Sequence, residues 1–426
     1  MTLLPKTSRA GFRTRSGPRH PTDWRVSAVL FLFTGLAESL AFGHFQAFTP
    51  LYLRSIGVPA SSVTAWTGVL GVLGSAVGLP LLPLWGALAE RFGRKAVILR
   101  SAVVEVVLIA LTARAHSPYT LAVARILSGL VFGNTGVMMA LQAEVTPQRR
   151  LSMAIAWASS GPAIGVAAGP LLGGLVASAL GLRAMFYLDA ALSALSALLL
   201  LAFLHEAPRP RSTSTLGSLA RQSLRDVLQL PAVRGLFIVY LLFALGATVG
   251  GPFMAIWIRS VALHGVPALL QGPPAYMVGL VLTLGGAAMV VGTPVLGWLG
   301  DRLGARRALL VGLMGNGVFL ALQAVPSLTA FAFSSVLQGF FRGGIMPNLM
   351  ALLARAAPED RRAAVMNLSL LPQQVSWFAG PALGTALATG FGLQGMLFCG
   401  GGIALLAVPL LLAGRARRAG RVAPSA

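Results

Sequence analysis

The sequence is short of cysteine, of acids and of charge altogether. One cysteine, Cys399, stands in 426 residues, so no internal disulfide can form and a secreted disulfide scaffold is excluded. Charged residues make up 10% of the chain, where a soluble domain carries ~25%. A soluble enzyme and a disordered chain are excluded on that ground. The 5 histidines include no H-E-x-x-H, and none lies beside a pair of carboxylates within an apolar run. No catalytic cluster, no metal set and no cofactor site is legible.

What is there is apolar. Hydrophobic residues are 56% of the chain, and the mean hydropathy is +0.79. At ~20 residues per membrane-spanning helix, that stock supplies roughly twelve spans and little else. The apolar runs fall at 26–53, 64–88, 96–114, 118–141, 151–180, 184–204, 234–258, 275–299, 308–325, 328–354, 363–389 and 395–413. They predict an all-α polytopic membrane protein with 12 transmembrane helices. The first 25 residues hold no compact apolar core, and the run after them is too long for a signal peptide. That run is expected to be the first helix.

The net charge of +22 would point to nucleic acid in a soluble protein. Its placement gives another answer. With the N-terminus in the cytoplasm, 26 of the 33 Lys and Arg fall on cytoplasmic flanks and four, Arg54, Arg114, Arg183 and Arg259, on the opposite flanks. Arg100, Arg125 and Arg342 lie within runs. This is a strong positive-inside bias. It places both termini in the cytoplasm, sets the basic flanks against anionic lipid and leaves no role for nucleic acid.

The chain is also a duplicated unit. Gly86-Ala-Leu-Ala-Glu90-Arg91-Phe-Gly93-Arg94-Lys95 follows the second run, and Gly297-Trp-Leu-Gly-Asp301-Arg302-Leu-Gly304-Ala-Arg306-Arg307 follows the eighth, 211 residues later. Gly169-Pro170-x-x-Gly173 in the fifth run recurs as Gly380-Pro381-x-x-Gly384 in the eleventh at the same offset. Such self-similarity reads as a tandem repeat. The expected organisation is a basic tail (1–25), a six-helix bundle (26–204), a linker (205–233), a second bundle (234–414) and a tail (415–426). The linker's second part patterns as a short helix, lying in the membrane interface or in water.

The loop after the second run resembles the signature of the major facilitator superfamily, G-x-x-x-D-R-x-G-R-R, and it occurs twice at the half-chain period. Glu90 stands where Asp is usual, one methylene longer. The resemblance implies two six-helix bundles around a cavity of alternating access. It also implies cytoplasmic latches at Gly86, Glu90, Arg91, Gly93 and Arg94, and at Gly297, Asp301, Arg302 and Gly304. A carboxylate beside a helix N-terminus can take that helix's free amides or pair with Arg91 or Arg94. In the fifth run Gly161, Gly165, Gly169 and Gly173 recur every four residues, a stripe that permits close helix contact in lipid. The segment Gly165-x-x-x-Gly169-Pro170-x-x-Gly173-Gly174 resembles the antiporter motif of twelve-helix drug:proton antiporters. Arg125-Ile-Leu-Ser128-Gly129 is similar to the family's R-x-x-Q-G element, which implies a part for Arg125 in proton transfer.

Charges at membrane depth are costly and functional by default. Eight of the 11 acids lie in or near cytoplasmic flanks, leaving Glu38, Glu105 and Asp189. Glu38 stands ~18 Å into the first run, near the midplane. It is the leading proton carrier, on a helix the resemblance places at the cavity. His44, six residues on, and Arg342, ~21 Å from the outer end of the tenth run, are further cavity charges, and a Glu38–Arg342 pair is left open. Glu105 is expected to pair with Arg100 or with another helix, while Asp189 lies at a depth similar to Arg125. The expected function is proton-coupled efflux of small amphipathic compounds by a monomer in a bacterial inner membrane, with a small-molecule substrate, protons and lipid as its partners. The alternatives are an exporter of a sugar, metabolite or lipid and, more remotely, a membrane-embedded enzyme or a non-transporting sensor.

Overall fold

The computed structural model describes residues 22–206, 229–261 and 270–419, apart from 132, 362–364 and 367. Most of the linker expected at 205–233 therefore lies outside the described residues. The first half contains α1 (Trp24–Ser55), α2 (Ala60–Phe92), α3 (Arg94–Ala113), α4 (Pro118–Ser128), α5 (Asn134–Val145), α6 (Leu151–Leu180) and α7 (Leu182–Phe203). The second contains α8 (Pro231–Gly250), α9 (Met254–Ser260), α10 (Pro274–Leu303), α11 (Ala305–Leu322), α12 (Leu328–Gly343), α13 (Ile345–Ala356), α14 (Leu371–Leu405) and α15 (Ala407–Ala419).

Among the described residues, nine helical stretches are each long and apolar enough to cross a bilayer. One of them, Leu371–Ala413, holds two spans, because Gly392 leaves the helical region at φ 70° and ψ 174°. The fourth and tenth spans are broken into α4 with α5 and α12 with α13, which brings the architecture to twelve. A described perimeter rich in exposed apolar side chains, including Val103, Val107, Leu198, Val291 and Phe333, suits lipid rather than water.

The duplication extends into the backbone. Gly93 (φ 95°) and Gly304 (φ 90°) each start the following helix, and Gly181 (φ 91°) and Gly392 (φ 70°) each turn one span into the next. Each pair is 211 residues apart. A side chain is strained at such φ values, so glycine is what lets the two helices join with no loop between them. Gly133 and Gly344, at the two broken spans, keep the same offset. Both broken spans also begin alike. Ser117 accepts from the Thr120 amide at 3.3 Å and Ser327 from the Ala330 amide at 3.4 Å, the side-chain cap that occupies an unpaired helix-start donor.

Among the described residues, the halves join toward one face. A single apolar core combines Phe48, Tyr52 and Phe186 of the first half with Phe253, Trp257 and Phe331 of the second. Toward the Arg-rich loops the core divides. Phe31, Ile98 and Met138 pack within the first half, and Leu309, Leu349 and Leu411 within the second. The cleft between the halves thus closes away from the basic face and opens toward it. Two seams make the seal. The Gly279 Cα abuts the carbonyl of Pro170, and the Leu171 amide donates to Thr283 Oγ1 at 2.9 Å. A Cβ at Gly71 would meet the Pro381 ring at 2.7 Å and one at Gly68 the Pro381 carbonyl at 3.3 Å, so α2 and α14 pack closely there.

Candidate functional site

The break in the fourth span positions the first polar pair. Gly133 takes a left-handed conformation and lets α5 restart at Asn134. The Asn134 side-chain amide donates to Glu38 of α1. Asn134 is buried and its Oδ1 has no partner, whereas Glu38 is half-buried. Its one described hydrogen-bond partner is therefore neutral, and the Glu38–Arg342 pair that the sequence left open is not made.

A second polar cluster lies farther along α1. His44 Nδ1 stands 2.9 and 3.0 Å from the two carboxylate oxygens of Asp189 on α7, and Nε2 stands 2.9 Å from the carbonyl of Gly169 on α6. The side chains of His44 and Asp189 are 5% and 1% exposed, so water is excluded. The glycine stripe of α6 makes the space. A Cβ at Gly165 would meet Ser39 at 2.7 Å, one at Gly169 would meet Leu40 at 3.2 Å, and one at Gly173 would run into the His44 ring. Gly174 faces the other way and touches the Ala275 carbonyl of α10 at 2.6 Å from its would-be Cβ.

The cations are arranged otherwise than expected. Arg125 is buried, donates from Nε to the Leu70 carbonyl at 3.1 Å and lies 4.0 Å over the Phe45 ring. It meets no described carboxylate, and the acid at its depth, Asp189, is held by His44. The expected Arg100–Glu105 pair is absent. Arg100 donates to Ser101 Oγ at 2.5 Å and lies 3.4 Å over the Trp85 ring, while Glu105 is buried without a hydrogen-bond partner among the described residues. An aromatic face attracts a guanidinium by about 0.5–2 kcal/mol, most where water is excluded. Arg342 is exposed at the break between α12 and α13 and makes no ion pair or hydrogen bond with a described residue.

At the first basic loop, the free amides that start α3 are taken by a residue that sequence reasoning missed. Glu206 accepts from the Arg94 amide at 3.0 Å and the Lys95 amide at 2.9 Å. Arg94 Nη1 donates to Glu144 Oε2 at 2.6 Å and to the Ala140 carbonyl at 2.7 Å. The chemistry is the one expected of this loop, but the partners are Glu206 and Glu144. The Glu90 side chain lies outside the described residues, the Gly86 backbone is helical, and Arg91 stacks beside Phe92 at 5.4 Å. At the second loop a Cβ at Gly297 would have open space, Asp301 and Arg302 are exposed, and Arg302 stacks over Trp298 at 4.2 Å. Neither loop bridges the halves through a described contact, in keeping with a cleft open on that side. Among the described residues no group of three or more His, Cys, Asp and Glu could hold a metal ion.

Set beside known proteins, the chain matches the model of the Major Facilitator Superfamily over residues 28–278 and 236–426. Multidrug resistance protein MdtG of Enterobacter lignolyticus is 26% identical over 376 residues, covering 88% of each chain. The protein of the same name from Salmonella typhi is 26% identical over 387 residues, 90% of this chain and 94% of its own. Two solved structures share the fold: a peptide transporter POT in complex with sulfate, at TM-score 0.72 and 16% identity over 92% of this chain and 94% of that one, and the nucleoside transporter NupG, at TM-score 0.71 and 14% identity over 91% and 99%.

Proposed function

The chain belongs to the major facilitator superfamily, and on that premise we propose that it exports small amphipathic compounds in exchange for protons, by alternating access. The observation that carries this reading is a pair of halves sealed together at one face, with a half-buried carboxylate, Glu38, on α1 and a neutral partner, Asn134, beside it. The name of the curated relatives, multidrug resistance protein, supports a drug-type substrate. The Arg-rich face is the cytoplasmic one in this reading, by the positive-inside bias, so the described state opens inward. The segments 26–204 and 234–414 move as two rigid bodies within one monomer in a bacterial inner membrane, and both termini are cytoplasmic. Glu38 carries the proton, and the two basic loops close the cytoplasmic side when the cleft turns outward.

Reconstituted protein in liposomes with an imposed pH gradient tests it. Gradient-driven movement of lipophilic cations or neutral drugs, abolished by a protonophore, is the expected result. Transport indifferent to the gradient would remove the coupling. One observation favours a second reading: Arg342, exposed and without an ion-pair partner among the described residues, suits an exported metabolite that carries an anionic group.

A further inference from the structure

His44 is gripped at both ring nitrogens by groups of different capacity. The Gly169 carbonyl can only accept, so the hydrogen on that bond belongs to Nε2. At Nδ1 the partner is a carboxyl group, with both oxygens within 3.0 Å. A bond there needs a second hydrogen, on Nδ1 or on the carboxyl. Without it a nitrogen lone pair would face a carboxylate in a site that excludes water, and a buried polar group without a partner is costly. The pair as folded therefore holds two exchangeable hydrogens and no net charge.

Its location gives that proton leverage. His44 ties α1 to α7 through Asp189 and to α6 through Gly169. The residues just after Gly169 form the seam with the other half: the Pro170 carbonyl against Gly279, and the Leu171 amide on Thr283. The charged groups on the surrounding helices are Arg25, Glu38 and Arg54 on α1, Arg94, Lys95, Arg100 and Glu105 on α3, Arg125 on α4, and Arg183 on α7, which donates to the Ala115 carbonyl. The α6 helix carries no charged residue from Leu151 to Leu180, and α10 carries none before Asp301. None of these charges is hydrogen-bonded to the pair.

We propose that His44 and Asp189 form a second proton-binding site, whose proton clamps α6 to α1 and holds the outer face shut. Loss of that proton to water takes the pair from neutral to one negative charge and removes the hydrogen of the Nδ1 bond. The ring then loses its fixed orientation, the hold on Gly169 slackens, and the α6–α10 seam is free to part. The proton binds more tightly in the outer-closed state, so by linkage acid favours closure and alkali favours opening. This inference rests on the reading that the chain alternates between two states.

Spin labels at Ser61→Cys on α2 and Thr389→Cys on α14, in a Cys399→Ala background, report the outer-face distance in lipid without any drug. From mildly acidic to mildly alkaline pH the wild-type open fraction should rise about tenfold, the response to a tenfold difference in proton affinity between the states. In a Glu38→Gln background, which removes the proton of the proposed transport cycle, a shift should remain, and adding Asp189→Asn, which gives His44 a partner that cannot ionise, should abolish it. An unresponsive wild type overturns the proposal, as does a Glu38→Gln protein with no shift, or a shift that survives Asp189→Asn in that background. Nitrogen-15 spectra of His44 in the unsubstituted protein need no folded variant. They should show Nε2 protonated at every pH, and a bare Nε2 overturns the assignment. Drug transport that fails while this opening persists would sink the efflux reading and leave the dyad standing.

Discussion

Asn134 donates its side-chain amide to the Glu38 carboxylate, joining the restarted half of the fourth span to the first. The bond exists because Gly133 interrupts the span one residue earlier. It ties the carboxylate we propose as the proton carrier to a span that breaks.

Glu38→Gln keeps the shape and removes the exchangeable proton, so drug-driven proton movement should cease while the protein stays folded. Asn134→Ala should cost only ~0.6 kcal/mol of stability, the average for an interhelical hydrogen bond in a membrane, yet should change the coupling ratio. Proton flux measured with a pH dye in proteoliposomes, beside thermal unfolding, separates the two effects. Intact coupling in Glu38→Gln would take this carboxylate out of the mechanism.

The cap on α3 offers a test away from the membrane. Glu206 holds the Arg94 and Lys95 amides, and losing a helix cap costs ~0.5–2 kcal/mol. Glu206→Ala should therefore speed hydrogen exchange at those amides severalfold. Because Glu206 stands at the start of the segment expected to link the halves, the same variant should also alter the balance of inward- and outward-open states. Neutralising Glu90 or Asp301 should do likewise if these loops latch in the other state. Cross-linking across the cytoplasmic face reads that balance.

The sequence carried the fold because its signals are local and doubled. Apolar runs set the spans, and the loop and Gly-Pro motifs recur at one offset, so each copy supports the other. The two broken spans were read as single runs, since apolar composition is continuous through Gly133 and Gly344 and only the backbone reveals the turn. The site was less legible. Asn134, Glu144 and Glu206 are ordinary polar residues at helix ends, and what selects them is which helix lies opposite, a tertiary fact. His44 and Asp189 are 145 residues apart, and nothing in either neighbourhood announces the other. Arg100 and Arg125 lie over aromatic rings, a partnership that counting acids against bases cannot detect.

The glycine stripe gives a graded prediction. A Cβ at Gly173 falls onto the His44 ring, whereas one at Gly169 stands 3.2 Å from a flexible Leu40 methyl. Gly173→Val should destabilise the protein by ~1–3 kcal/mol, the usual cost of overpacking, and displace the ring from Asp189. Gly169→Ala should be milder. A thermal-unfolding series checks the order, and equal losses at both positions would mean that α1 and α6 separate more readily than the described contact implies.

Arg342 supplies the test of substrate charge. It is exposed at the Gly343–Gly344 break and has no described ion-pair partner. A cation at this depth must be served by water or by an incoming anion, because the lipid offers neither. If the cargo carries a carboxylate or phosphate, Arg342→Ala should weaken its binding by about 1.5–3 kcal/mol, the worth of a hydrogen bond to a charged group, which is roughly tenfold or more in affinity. Arg342→Lys should restore only part of that, since ammonium lacks the planar fork. Neutral and cationic drugs should be unaffected, or should gain slightly from the lost repulsion. Binding measured for matched anionic and neutral analogues decides between them, and equal affinities in wild type and Arg342→Ala for every analogue would leave this arginine solvating the cleft and nothing more.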